Sequence, residues 1–138
     1  MANPYNLEFL TGLIDQPETQ RLEFKSSRDL SSEESQKRGR FLKDQVVPTI
    51  SAFLNTDGGL LILGMEDDKD GVAIGLSDGV PCSRMKREQL QSSICDRIQP
   101  AVAGYISVYD VPVREERERQ QAIRLRRGSK TWSYGVSS

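Results

Sequence analysis

Apolar and polar residues along the first quarter of the chain follow two different periods. Residues 5–14 repeat leucine and isoleucine at helical spacing, which predicts a short helix. Residues 20–26 alternate instead, with Leu22 and Phe24 on one face and charged side chains on the other. This second period predicts a strand that buries one face.

The middle of the chain carries the strongest apolar patterns. A broad apolar stripe over about residues 35–54 predicts a helix, in which Pro48 marks a kink or a joint between two helical pieces. Residues 60–65 are continuously apolar after a Gly-Gly turn, which indicates a strand covered on both faces. Residues 72–75 return as the second strand of a hairpin.

The second half adds one helix and two strands. A helix is predicted over residues 84–98, and strands over 104–113 and 120–127. In the last strand, Arg124 and Arg126 alternate with apolar residues, which predicts a basic outer face. The order α-β-α-β-β-α-β-β indicates an α+β protein, with helices packed on a mixed sheet.

Length and composition bound this picture. The chain has 138 residues, about one domain. We expect one domain over residues 1–127 and a short flexible tail over 128–138. No apolar run approaches the roughly 20 residues of a membrane helix, and the first residues lack a secretory signal pattern. We therefore expect a cytoplasmic protein with no membrane partner.

The residue types that are missing exclude several kinds of chemistry. Histidine is absent, which excludes Ser-His-Asp and Cys-His nucleophile pairs and zinc sites that contain histidine. The two cysteines, Cys82 and Cys95, are far apart and form no CxxC pair. Catalysis would have to use carboxylates, lysine, arginine, hydroxyls or a bound hard metal ion.

Charge is divided unevenly between the two parts of the chain. Residues 1–83 carry a net charge of −6, and residues 84–138 carry +5. One explanation is chance scatter of charge over a surface rich in charged residues. The other is an acidic centre that lies beside a basic track for phosphates. Both interpretations stay open at this point.

Three carboxylates could converge if the first two strands are neighbours. Glu23 and Lys25 share one face of their strand, Glu18 precedes it, and Asp67 follows the buried strand. Carboxylates around a hard cation are suited to phosphodiester hydrolysis. The alternatives are a solvated Glu-Lys ion pair and an ordinary polar hairpin turn.

Three segments together resemble the Schlafen-type AlbA-like domain. They are residues 18–25 (ETQRLEFK), 50–59 (ISAFLNTDGG) and 61–68 (LILGMEDD), and they are followed by Ile74-Gly75-Leu76. The family pattern is roughly E-x4-EFK, a helix ending in SAFxNTxGG, a strand reading LxIGVDD, and a return ending in xGL. The resemblance covers about residues 8–127.

The resemblance implies a small α+β domain that binds nucleic acid. In Schlafen proteins, two such lobes hold structured RNA, and three carboxylates cut it with a divalent metal. Glu18, Glu23 and Asp67 stand at the positions of those carboxylates, and Lys25 also matches the motif. The implied cofactor is Mg²⁺ or Mn²⁺, and the implied partner is RNA or DNA.

The sequence departs from the family pattern in two ways. Only one lobe is present, and a homodimer could rebuild the two-lobed groove. Residues 127–129 (RGS) resemble a segment after which the family usually continues, so the chain is either part of a longer protein or a short stand-alone member.

Three hypotheses follow. The first is a metal-dependent endoribonuclease; the second is a non-catalytic DNA-binding or regulatory module; the third is an assembly module of a larger protein. For the first two we expect basic side chains to hold the phosphate backbone. The expected basic residues are Arg84, Lys86, Arg87, Arg124, Arg126, Arg127 and Lys130.

Overall fold

A computed structural model describes residues 4–77, 80–81, 86–99, 102–113, 118–126 and 133–134. Within these residues the α-helices are α1 (Leu7–Gly12), α2 (Ser35–Phe41), α3 (Val47–Leu54) and α4 (Arg87–Cys95). The strands are β1 (Leu22–Lys25), β2 (Gly59–Leu63), β3 (Met65–Asp67), β4 (Ala73–Leu76), β5 (Val80–Pro81), β6 (Ile98–Gln99), β7 (Ile106–Val113), β8 (Glu118–Leu125) and β9 (Ser133–Tyr134).

The main sheet is mixed, which confirms the predicted α+β class. Strand β1 lies parallel to β2, and β2 lies antiparallel to β8. Strand β8 also pairs antiparallel with β7 and with the short β5. Strands β3 and β4 form a separate antiparallel hairpin. The first strand and the buried strand are therefore neighbours, which was the condition for the three carboxylates to converge.

Strand β2 separates two apolar cores. All five of its residues are buried. Leu61 and Leu63 face a core built with α2, α3 and α4, whereas Leu60 and Ile62 face a smaller core that includes Leu10 of α1. The continuous apolar run thus reflects a strand covered on both faces, as predicted.

The long helix changes its geometry immediately before Pro48. Helices α2 and α3 are continuous in the chain but are joined by a π-helical turn, Leu42–Val46. Proline has no backbone N–H to donate to the carbonyl four residues earlier, so the α-helical pattern is interrupted there. The joint predicted at Pro48 is confirmed, and it consists of the π-helical turn Leu42–Val46.

The predicted strand over residues 60–65 is divided at Gly64. This residue has φ of +124°, a conformation that favours glycine. The chain therefore leaves the main sheet after Leu63, and Met65 begins the β3–β4 hairpin. The apolar run does not show this break, because Met65 is also fully buried.

The helix predicted over residues 84–98 is shorter in the structure. It ends at Cys95, and Ile98 is a buried residue of strand β6. Ile98 and Gln99 pair with Tyr134 and Ser133, which lie inside the segment expected to be a flexible tail. The domain boundary at residue 127 stays a prediction. Among the described residues, no helix combines the length and apolarity needed to cross a bilayer.

Candidate functional site

The parallel pairing of β1 and β2 places charged side chains at the edge of the main sheet. Glu23 is in register with Leu61, and Lys25 with Leu63. Residues in register project from the same face of a sheet, so Glu23 and Lys25 project toward the side covered by α2 and α3. Asp67 is reached just beyond the same end of β2, which brings it toward them.

The predicted carboxylates line one pocket of about 420 Å³. Glu18 comes from the turn before β1, Glu23 and Lys25 from β1, and Asp67 from β3. Phe41 at the end of α2 and Gln45 of the π-helical turn also line it. The remaining lining residues are Phe24, Ser26, Arg28, Asp29 and Glu66. The structure therefore brings together the four residues that the sequence predicts for catalysis, and we call this the carboxylate pocket.

Glu18 is fixed by two neighbouring segments. Its Oε2 accepts a hydrogen bond of 2.8 Å from the backbone N–H of Phe24. Its own N–H donates to the carbonyl of Gly71, also at 2.8 Å. A Cβ at position 71 would lie 2.9 Å from Glu18 Oε1, so the absence of a side chain leaves room for this carboxylate. The carboxylate is thereby held between β1 and the β3–β4 hairpin.

The pKa of Glu18 depends on its burial and on its charged neighbours. Partial burial raises the pKa of Glu18, and the negative charges of Glu23 and Asp67 raise it further. The Phe24 N–H and the Lys25 ammonium oppose this rise. Lys25 Nζ lies 3.9 Å from Glu23 Oε2, and only 19% of the lysine side chain is exposed. The ion pair is thus a partly shielded component of the pocket.

Sequence reasoning missed Glu66, which is the most firmly bonded acid of the pocket. Its carboxylate accepts hydrogen bonds from the hydroxyls of Ser26 and Ser77, and these bonds hold the pKa of Glu66 below its usual value. Arg28 Nη2 lies 3.5 Å from Glu66 Oε1. Ser77 is eleven residues away from Glu66 along the chain. The two side chains meet because β3 and β4 pair as a hairpin.

The side chain of Arg124 in β8 projects from the face of the sheet opposite to the carboxylate pocket. Arg124 is in register with Leu60, whose face contains the α1-side core. Arg124 and Arg126 are exposed but are not brought to the carboxylate pocket. Glu23 and Lys25 project from the other face, so one continuous site does not include both groups.

The other predicted basic residues are not part of the pocket either. Lys86 and Arg87 are exposed at the start of α4 and do not line it. Arg84, Arg127 and Lys130 lie outside the described residues. Arg28, which the sequence reasoning did not select, is the second cation of the pocket beside Lys25. Its position three residues after the end of β1 could have indicated it.

The pocket has the donor chemistry of a divalent cation site. Carboxylates outnumber cationic groups five to two among its lining residues, and Mg²⁺ and Mn²⁺ prefer such oxygen ligands. Within the described ranges, however, no three Asp, Glu or Cys side chains are grouped so that they could hold a metal ion. One oxygen of Glu18 is also bonded to the Phe24 N–H. The ligand types fit, but the arrangement is not a formed metal centre.

Comparison with known proteins gives a family match and a fold match. The family model described as Schlafen, AlbA_2 matches residues 18–130. No curated protein matches the chain. The crystal structure of the DIP2311 protein from Corynebacterium diphtheriae is similar, with a TM-score of 0.55 and 23% sequence identity. The match covers 84% of this chain and 19% of that protein, and at this identity it concerns the fold alone.

Proposed function

Because the chain belongs to the Schlafen AlbA_2 family, we propose that it binds nucleic acid through the face that carries the carboxylate pocket. One observation carries this proposal: Glu18, Glu23 and Asp67 converge with Lys25 and Arg28 around a single open pocket. Cationic side chains can contact the phosphates of a nucleic-acid backbone, and carboxylates beside them supply the oxygen ligands that a divalent ion prefers. RNA and DNA are both candidate ligands.

Phosphate recognition at this pocket needs positive charge. The lining carboxylates repel a phosphate, and Lys25 and Arg28 offset that repulsion only in part. A divalent cation would complete the balance, and we propose Mg²⁺ or Mn²⁺ held by Glu18, Glu23 and Asp67. When bound, such an ion supplies Lewis-acid polarisation and a more acidic water molecule. Lys25, held beside Glu23, would orient a neighbouring phosphate oxygen.

The second candidate function is cleavage of RNA by the same pocket. The observation that favours it is that three carboxylates line one pocket, where partial burial first, and then the charges of Glu23 and Asp67, raise the pKa of Glu18. The alternatives are a regulatory or DNA-binding module without catalysis and an assembly module. A homodimer, a cytoplasmic location and membership in a longer protein stay predictions.

Cleavage and binding of labelled tRNA and single-stranded DNA test the proposal. We would compare the wild type with Glu23→Ala, in Mn²⁺ and in EDTA. The matched control is Glu8→Ala, because Glu8 is an exposed acid in the first turn of α1. Metal-dependent cleavage lost only in Glu23→Ala would support the nuclease.

Two further outcomes separate the hypotheses. No cleavage, together with binding that weakens as salt rises, would support a binding module and contradict the nuclease. No binding of either nucleic acid at low salt would overturn the proposed function and favour an assembly module.

A further inference from the structure

A second cavity adjoins the carboxylate pocket. It has a volume of about 640 Å³ and lies between the start of β1 and the outer face of α3. Glu23 lines both cavities, so they meet at this side chain. The volume is in the range of pockets that take small molecules, roughly 300–1,000 Å³. We call this second cavity the helix cavity.

The helix cavity has one apolar wall. Pro48, Ala52 and Phe53 of α3 line it. Pro48 and Ala52 are four residues apart and share a face of the helix, whereas Phe53 is a buried core residue that borders the cavity. Phe53 is held in place by close packing, since a Cβ at Gly59 would lie 2.6 Å from its ring. The wall is therefore a firm apolar surface.

The helix cavity is also lined by an ion pair, Arg21–Asp57. Arg21 Nη2 lies 2.9 Å from Asp57 Oδ2, and the side chains are 68% and 56% exposed. A guanidinium has five N–H donors, so one bond to Asp57 leaves Arg21 able to donate to a ligand. The cavity thus combines an apolar wall with hydrogen-bonding groups.

We propose that the helix cavity is a subsite for a nucleoside, and this inference rests on the proposed function. A nucleobase has a flat apolar face and a polar edge, which match the wall and the Arg21–Asp57 pair. The link through Glu23 places the cavity one step along a nucleic-acid chain whose phosphate lies at the carboxylate pocket. A purely aliphatic ligand would displace water from Arg21 and Asp57 and offer them no hydrogen bonds in return, which costs binding free energy.

Filling the cavity tests the subsite. Ala52 is exposed on α3, so Ala52→Trp should fold and occupy the space against the wall. The control is Thr11→Trp, at an exposed position of α1 on the other side of the sheet. Binding of a labelled single-stranded RNA of about 12 nucleotides would be measured by fluorescence anisotropy over a range of salt concentrations.

The expected result is specific to Ala52→Trp. Its affinity should fall about fivefold or more, the size of one lost base contact, while Thr11→Trp stays within about twofold. The slope of log K against log salt should not change, because no phosphate contact is removed. A changed slope would overturn the subsite, since the cavity would then hold backbone.

The other outcomes distinguish the subsite from the proposed function. If the wild type binds RNA and Ala52→Trp binds equally well, the subsite is wrong and nucleic-acid binding stands. If both tryptophan variants lose the same affinity, the effect is not local and the subsite is also wrong. If the wild type binds neither this RNA nor a single-stranded DNA of the same length, both proposals fail.

A second measurement on the wild type does not depend on a variant that folds. Guanosine monophosphate should shift the amide NMR signals of Thr49 and Thr56, two residues of the helix cavity. Inorganic phosphate should leave those signals unchanged. Equal shifts with both ligands, or none with the nucleotide at millimolar concentration, would overturn the nucleoside subsite.

Discussion

The side-chain amide of Gln120 fills the space in which a side chain at Gly64 would lie. Gln120 is fully buried, and its Nε2 donates a hydrogen bond of 2.6 Å to the carbonyl of Ser77. The bond holds the amide against Gly64, where the chain leaves β2 for the hairpin that carries Asp67. This contact therefore sets the direction in which the hairpin leaves the main sheet.

Gly64→Ala should destabilise the protein strongly. The new methyl group would meet the Gln120 amide, and the positive φ of residue 64 would add backbone strain. We expect a loss of about 2–4 kcal/mol in the free energy of unfolding, measured by urea denaturation. Gly39→Ala is the matched control, since nothing lies within 4 Å of its Cβ position and alanine favours a helix. It should stabilise the protein by about 0.5–1 kcal/mol, and similar stabilities for the two variants would contradict the packing at Gly64.

Glu18→Ala should cost more stability than Glu23→Ala. Glu18 accepts the Phe24 N–H at 2.8 Å, and loss of that acceptor should cost about 1–2 kcal/mol. Within the part of the chain that the structure describes, the Glu23 carboxylate makes the 3.9 Å ion pair with Lys25, so its removal should change stability by less than about 0.5 kcal/mol. Glu18→Gln retains an oxygen acceptor and should recover part of the loss. Thermal unfolding in EDTA would measure this series, and equal effects of Glu18→Ala and Glu23→Ala would contradict the role of Glu18 in holding β1.

Glu66 should make stability depend on acid pH. Its folded pKa is lowered from 4.5 by the hydroxyls of Ser26 and Ser77. Its contribution is therefore present above the unfolded pKa and is lost as pH falls through the folded pKa. Glu66→Gln and Ser77→Ala should each reduce stability at neutral pH by about 1–2 kcal/mol and flatten the decline on acidification. Urea denaturation at neutral pH and at roughly pH 3 would measure both effects. An unchanged acid slope in Glu66→Gln would argue against these hydrogen bonds.

The two basic surfaces should contribute differently to binding. Arg28 lines the carboxylate pocket, whereas Arg124 lies on the other face of the sheet. If the pocket face binds nucleic acid, Arg28→Ala should reduce the slope of log K against log salt by about 0.7–0.9. Arg124→Ala should leave that slope unchanged. The reverse result would assign the phosphate contacts to the basic strand and contradict the proposed binding face.

Local patterns in the sequence predicted most of the framework. The alternation around Glu23 and Lys25 gave β1 and its charged face, and the apolar run gave β2 as a buried strand. Both results follow from side-chain periods of two and from burial on both faces. The joint at Pro48 was predictable because proline lacks a backbone donor.

The remaining features depend on contacts that sequence patterns do not encode. Exposure of Arg124 was predictable, but its face relative to Glu23 required the register of β1, β2 and β8. The bond between Glu66 and Ser77 required the hairpin register. The break at Gly64 required Gln120, more than fifty residues away in the chain.

The turn before β1 has a consequence for self-association. Strand β1 is at the end of the main sheet, and an exposed sheet edge invites pairing with another chain. Here the N–H of Thr19 donates to the carbonyl of Leu22, and Glu18 accepts from the N–H of Phe24. These bonds occupy the Leu22 carbonyl and the Phe24 N–H, two of the groups on β1 that an added strand would need. We therefore expect two copies of this chain to meet through another surface, and not by continuing the sheet at β1.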